Sequence, residues 1–191
     1  MPIADAVTVI AQAALAADPR CGATRLVCID GPAGSGKTTM AAALAGACAG
    51  APVVHMDDLY EGWGQQLGDP LADRIEAWLL VGWRDGLPGM HPRYDWVAGR
   101  FGQWMSVPPA PVVILEGCAS ASARVRERAS LVVWVQAPAD LALQRGLARD
   151  GDAMAEHWRA WQAHEAAHFA ADGTRAAADV RVDGRTGRLL D

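Results

Sequence analysis

Gly31-Pro32-Ala33-Gly34-Ser35-Gly36-Lys37-Thr38-Thr39 is the stretch on which the reading of this chain turns, together with its flanks. Before it, Arg25 to Asp30 is a short apolar run with β-branched residues, the mark of a buried strand. After it, Thr38 to Cys48 is alanine-rich and favours helix. Strand, glycine loop and helix in that order form the setting in which G-x-x-x-x-G-K-[ST] binds phosphate. The glycines let the backbone curl until successive N–H groups and the helix N-terminus face one anion. Lys37 then reaches the β- and γ-phosphates of a nucleotide, and the Thr38 hydroxyl is a ligand for magnesium, so ATP and Mg2+ are the expected cofactors.

The pattern repeats outward from this loop. Ile3, Ala6, Val7, Ile10, Ala13, Ala14 and Ala17 recur at helical spacing and predict a helix over 3–17. Pro52–Met56, Pro111–Glu116, Leu131–Val135 and a short Asp179–Val182 read as further strands, with helices near 70–84, 120–128, 139–149 and 152–171 between them. Between Gly86 and Pro111 the chain is dense in Gly, Pro and aromatics and is expected to be irregular, with at most a short helix near 97–105. Strands alternating with helices predict an α/β fold of three layers around a mostly parallel five-stranded sheet.

The chain has 191 residues, a length that suits one domain spanning 1–191. Its 17 Lys plus Arg against 22 Asp plus Glu leave a formal charge of -5, which lacks the electrostatic footprint of a nucleic-acid binder. No apolar run reaches the ~18 residues of a membrane helix. The first residues carry Asp5 and no basic residue ahead of their apolar stretch, unlike a secretory signal, so a cytoplasmic protein with a small-molecule acceptor is expected. Cys21, Cys28, Cys48 and Cys118 form no C-x-x-C pair and read as reduced, buried thiols. Lys37 is the sole lysine, which excludes the N-K-x-D base box of GTPase switches.

Phosphoryl transfer asks for an acidic residue to take the acceptor's proton and for arginines to meet the developing charge. The run His55-Met56-Asp57-Asp58-Leu59-Tyr60 ends the second strand and sets Asp57 or Asp58 at the carboxyl edge of the sheet, where ligands of doubly wound folds bind. Val112–Gly117 is an apolar strand closed by Glu116, the Walker B pattern, and assigns Glu116 to the magnesium shell. Arg145 and Arg149 stand four apart on one helix face and form a candidate phosphate clamp. His164-Glu165-Ala166-Ala167-His168 also matches H-E-x-x-H, the zinc-peptidase motif; without a visible third ligand and beside a complete phosphate loop it reads as a chance match, and Trp158 and Trp161 nearby as packing.

At this point the chain resembles the uridine kinase and phosphoribulokinase-like branch of P-loop kinases. The matching pieces are the G-P-A-G-S-G-K-T-T loop, D-D-L-Y at Asp57–Tyr60, P-R-Y-D-W at Pro92–Trp96, V-I-L-E-G at Val113–Gly117, R-G-L-A-R-D at Arg145–Asp150 and A-D-V at Ala178–Val180, in the family's order. The resemblance favours Asp57 over Asp58 as the base and implies Tyr60, Tyr94 and Trp96 at the acceptor and a small lid around 145–157; Asp58 and Arg100 are further candidates for the acceptor site. It departs where uridine kinases commonly carry a base-reading histidine, since this chain has Val97-Ala98-Gly99-Arg100 there. The expected reaction is transfer of the γ-phosphoryl of Mg-ATP to a hydroxyl of a nucleoside-like metabolite. A nucleoside monophosphate kinase using Arg84, Arg93 and Arg100, or a slowly hydrolysing ATP switch, are the alternatives.

Overall fold

The computed structural model describes residues 2–191. Its central sheet runs β2 (Val53–His55), β5 (Val112–Glu116), β1 (Arg25–Asp30), β6 (Ala129–Gln136), β7 (Val180–Asp183) and β8 (Arg188–Leu190). The first five are mutually parallel, and β8 turns back antiparallel on β7, so the sheet has six strands instead of the five expected. The extra strand follows a turn in which Asp183 accepts the N–H groups of Arg185 and Thr186. So short a hairpin arm leaves little hydrophobic periodicity to read.

Strands β1 and β5 are buried on both faces, as expected of continuous apolar runs in a parallel sheet. One face is covered by the helices Pro2–Ala16 and Lys37–Ala47, whose Ile10, Ala14, Met40 and Leu44 close over Val27, Ile29 and Ile114. On the other lie the helical segments of 69–84 and the helix Ala155–Asp172, packed through Leu71, Ile75, Leu79 and Trp161 against Cys28, Val113 and Leu115. Three layers result. The 69–84 stretch forms as predicted, but its middle turn, Glu76–Leu80, is π-helical. The predicted 120–128 helix shrinks to Ala123–Arg126, and the 152–171 helix begins at Ala155 after a 3-10 turn at Asp152–Met154.

The largest correction lies between Gly86 and Pro111. In place of a short helix near 97–105, β3 (Gly89–Asp95) and β4 (Arg100–Val107) form an antiparallel hairpin. Asp95 builds its turn: the Oδ1 atom accepts the N–H groups of Val97 and Ala98, and the Asp95 carbonyl accepts that of Gly99. Phe101, Met105 and Val107 are half-buried while their neighbours are exposed, a period of two that aromatic crowding hid. Trp83, fully buried, donates its indole N–H to the Val107 carbonyl at 2.9 Å and ties the hairpin to the 69–84 helix.

Two helices are locked by one close approach. Gly146, on the helix Ala139–Asp150, lies under the ring of Trp158, and a Cβ there would stand 2.4 Å from its carbon atoms. Trp158 is 2% exposed and its N–H is held by Asp150 at 3.0 Å, so the ring has little room to yield. Gly146→Ala is therefore expected to cost about 1–3 kcal/mol of stability, as overpacking does, read as a lowered denaturant midpoint; an unchanged midpoint would show that the two helices are not packed in this way.

Candidate active site

Parallel pairing sets the last residues of three strands side by side at one edge. His55 ends β2 opposite Glu116, the last residue of β5, and Glu116 lies opposite Ile29, one residue before Asp30 at the end of β1. This is the carboxyl edge at which ligands of open α/β sheets bind. From Asp30 the chain enters the glycine loop. Gly31 takes φ 140°, and a Cβ on it would stand 2.0 Å from the Val135 carbonyl oxygen, so no other residue fits between β1 and β6 there.

The loop is held in shape by carboxylates. Asp30, completely buried, accepts the N–H groups of Gly31 at 2.7 Å, Ala119 at 3.0 Å and Ala121 at 2.8 Å, which fastens the loop to the segment after β5. Burial pushes its carboxyl up to about 7 against the pull of those amides and of Lys37. From the far side of the loop, Glu165 Oε2 accepts the Ala33 N–H at 2.9 Å and lies 3.2 Å from the Cys118 thiol. Its carboxyl is also raised by burial. Glu165 is thus spent on the phosphate loop, which accounts for the middle residue of the H-E-x-x-H match.

Lys37 donates to the carbonyls of Gly31 and Pro32, both at 2.8 Å. Burial disfavours its charge, but Cys118, Glu165, Glu116 and Asp30 surround the ammonium and leave its pKa above the usual value. Thr38 donates its hydroxyl to Glu116 Oε1 at 3.1 Å, and the same oxygen lies 2.6 Å from His55 Nδ1. That hydrogen bond holds the pKa of His55 above the ordinary histidine value.

A cleft of about 710 Å³ opens over these groups. Its phosphate side carries Ala33, Gly34, Gly36, Lys37, Thr38 and Thr39, with Glu116, Arg145 and Arg149. Arg145 donates to the carbonyls of Gly34 and Gly184, both at 3.2 Å, and Arg149 lies over the Trp158 ring while pairing with Asp150 at 2.7 Å. Asp57 faces the same space. It is open to the cleft but hemmed by protein on its other sides, and desolvation, then the Glu116 carboxylate, raise its pKa.

The expected residues therefore separate. Tyr60 and Trp96 line the cleft with Asp57. Asp58 does not; it is paired with Arg93 at 3.1 Å, away from the opening. Tyr94 also stands behind the wall, packed edge-on against Trp96 and Phe101, and Arg100 opens β4 on the hairpin, outside the cleft lining. Trp158 and Trp161 pack as expected but also form part of the wall, with Trp63. Sequence reasoning passed over Asp30, Cys118, Glu165 and Trp63. Asp30 is visible as a charge ending an apolar strand, whereas the carboxylate of Glu165 meets the loop across 132 residues of chain, and no local pattern announces it.

No protein-family model matches the chain, and neither does any curated protein. Solved structures do. A structure described as that of a possible uridine kinase from Bacillus stearothermophilus is 20% identical, covers 95% of this chain and 99% of its own, and superposes with a TM-score of 0.68. A protein from Silicibacter sp. TM1040, named provisionally as a fructose transport system kinase, is 19% identical, with coverages of 90% and 95% and a TM-score of 0.60. At this identity the likeness establishes the fold alone, three layers around a mostly parallel sheet, over most of the chain.

Asp30 carries a pH signature that can be measured. Its folded pKa of about 7 lies above the ordinary carboxylate value of 3.8, so between these limits the folded chain binds the proton that the unfolded chain has released. Its contribution to stability accordingly falls as pH rises from about 4 to about 7 and is level above that. Asp30→Asn removes this slope, and it costs about 1–3 kcal/mol because the Asn amide turns an NH2 toward backbone donors. Urea midpoints at pH 5 and pH 8 check both; equal slopes in the two proteins would show that Asp30 does not titrate there.

Proposed function

We propose that this chain is an ATP-dependent phosphotransferase that moves the γ-phosphoryl group to a hydroxyl of a small, planar, nucleoside-like acceptor. The observation that carries the reading is the convergence on one cleft of the phosphate loop with Lys37, the Thr38–Glu116 pair, Asp57, and the two arginines Arg145 and Arg149.

Each group has work matched to its place. The N–H groups of Gly34, Gly36 and Lys37, at the N-terminus of the helix Lys37–Ala47, suit the β-phosphate, and the ammonium of Lys37 exchanges its carbonyl partners for phosphate oxygens. Thr38 and Glu116 offer hard oxygen donors facing the cleft, the set that suits magnesium, and His55 fixes the orientation of the Glu116 carboxylate. Magnesium held there supplies positive charge to phosphate oxygens as negative charge develops on them. Asp57, its pKa raised by desolvation, takes the proton of the attacking hydroxyl. Arg145 and Arg149, on the helix leading into the short lid turn, meet the charge of the transferring group.

The arginine placement favours a hydroxyl acceptor over a phosphate. Among the described residues, Arg145 and Arg149 are the arginines on the cleft wall, and both stand on the phosphate side. Arg84 pairs with Asp85 and Arg93 with Asp58, and Arg100 lies on the hairpin, so none of the three waits at the acceptor side for a second phosphate.

Binding and chemistry separate by mutation. Lys37→Ala is expected to abolish acceptor-dependent ADP formation. Asp57→Asn is expected to keep ATP binding by calorimetry and to slow single-turnover transfer by about 10²–10⁴-fold, with Asp58→Asn far milder. Near wild-type turnover in Lys37→Ala overturns the kinase reading, and the reverse ranking of the two aspartates moves the base to Asp58.

A further inference from the structure

The acceptor half of the cleft differs in kind from the phosphate half. It is built from Tyr60, Trp63, Trp96, Met154, Trp158 and Trp161. Trp63 sits at its centre, with ring centroids 5.7 Å from Trp96, 5.9 Å from Trp158 and 6.1 Å from Trp161, all edge-on. On its outer side the imidazole of His157 stacks against it at 5.6 Å.

What these rings present to a ligand is set by where their polar atoms already go. Tyr60 donates its hydroxyl to the Cys118 carbonyl at 2.8 Å, Trp96 its N–H to the Asp57 carbonyl at 3.1 Å, and Trp158 its N–H to Asp150 at 3.0 Å. The polar atoms of these three rings are thus consumed by the protein, and Trp63 and Trp96, the least buried rings of the wall, turn carbon surface to the cleft. Asp57, the carboxylate assigned to the reacting hydroxyl, lies next to that surface, while Asp150, also on the cleft, is already paired with Arg149 and the Trp158 N–H.

Such a wall selects thickness and flatness more than the donor and acceptor pattern along a ring's edge. A site that pairs with polar ligand groups rejects an analogue lacking them by about 10⁴–10⁵-fold, because its own buried groups are left unpaired; a site made of faces has nothing to leave unpaired. We infer that the acceptor is an alcohol borne on a flat, apolar aromatic body, recognised by its faces against Trp63 and Trp96 and not by hydrogen bonds to its edge. The inference rests on the kinase reading above. In the transfer it implies, the alcohol oxygen bonds to the γ-phosphorus as the bond from γ-phosphorus to the bridging oxygen breaks, the alcohol proton passes to Asp57, and ADP leaves.

The test compares two ribosides that share the reacting hydroxyls, uridine and the C-riboside of benzene, which keeps the flat ring and lacks every edge group. Calorimetric titrations use the wild-type chain loaded with a non-hydrolysable ATP analogue and Mg2+. The benzene riboside is expected to bind at least as tightly as uridine, Trp63→Ala to weaken it about tenfold, and Trp63→Phe, which keeps a face, to restore most of the loss. Binding of the benzene riboside more than tenfold weaker than uridine overturns the inference, and so does affinity unaltered in a folded Trp63→Ala protein. A chain that holds neither riboside overturns it as well, and binding of the ATP analogue, read in the same experiment, shows whether the kinase reading has failed with it.

Discussion

The curl of chain from Asp30 to Lys37 is the constraint from which the rest of the structure follows. A loop that aims successive amides at one point concentrates positive partial charge, and something must hold it there before an anion arrives. Here the restraint comes from within. Asp30 clamps the entry of the loop through the Gly31 amide, Glu165 clamps its crest through Ala33, and Lys37 closes it from below through two carbonyls. Each clamp requires a partner element in a fixed place: the segment after β5 for Asp30, and the helix Ala155–Asp172 for Glu165. The order of the central strands and the docking of that helix are thus tied to the shape of eight residues.

Placing that many charges under one loop is expensive, and the balance shows in the titration of its members. Asp30 and Glu165 have their carboxyl pKa raised by loss of water, while Lys37, surrounded by Cys118, Glu165, Glu116 and Asp30, keeps its charge in spite of burial. An unpaired carboxylate so deep would neutralise itself. The site spreads a single ammonium among several acidic groups and the carbonyls of Gly31 and Pro32.

How much of this was legible in the residues depends on the range of the signal. The phosphate loop and its flanks are contiguous, so strand, turn and helix could be read from composition and spacing within about twenty residues. Asp57 and Glu116 were reached because each ends an apolar run, and parallel topology makes strand ends neighbours. The hairpin Gly89–Val107 was missed because its inward residues, Phe101, Met105 and Val107, alternate with tryptophan and glycine in a stretch whose Gly and Pro content imitates a loop. Glu165 lay within a motif that suggested metal binding, yet its partner is a backbone amide in the first quarter of the chain. Backbone partners leave no trace in side-chain identity; of the cleft's rings, Tyr60 and Trp96 were expected at the acceptor by resemblance, Trp158 and Trp161 read as packing, and Trp63 drew no reading.

The two halves of the cleft illustrate how one fold separates generic from particular chemistry. The phosphate half is made of backbone amides and charges, all positioned by the sheet edge and the loop, and such groups recognise any nucleoside triphosphate tail. The aromatic half is made by elements attached to that frame: the segment after β2 carrying Tyr60 and Trp63, the turn of the hairpin carrying Trp96, and the helix Ala155–Asp172 carrying Trp158 and Trp161. These elements meet each other through ring contacts and not through main-chain ladders, so their side chains can vary without disturbing the loop. One contact runs counter to that independence, because Glu165 lies one helical turn beyond Trp161 and bonds the phosphate loop directly. The ring of Trp161 and the carboxylate that holds the Ala33 amide therefore stand on one face of one helix, a single turn apart.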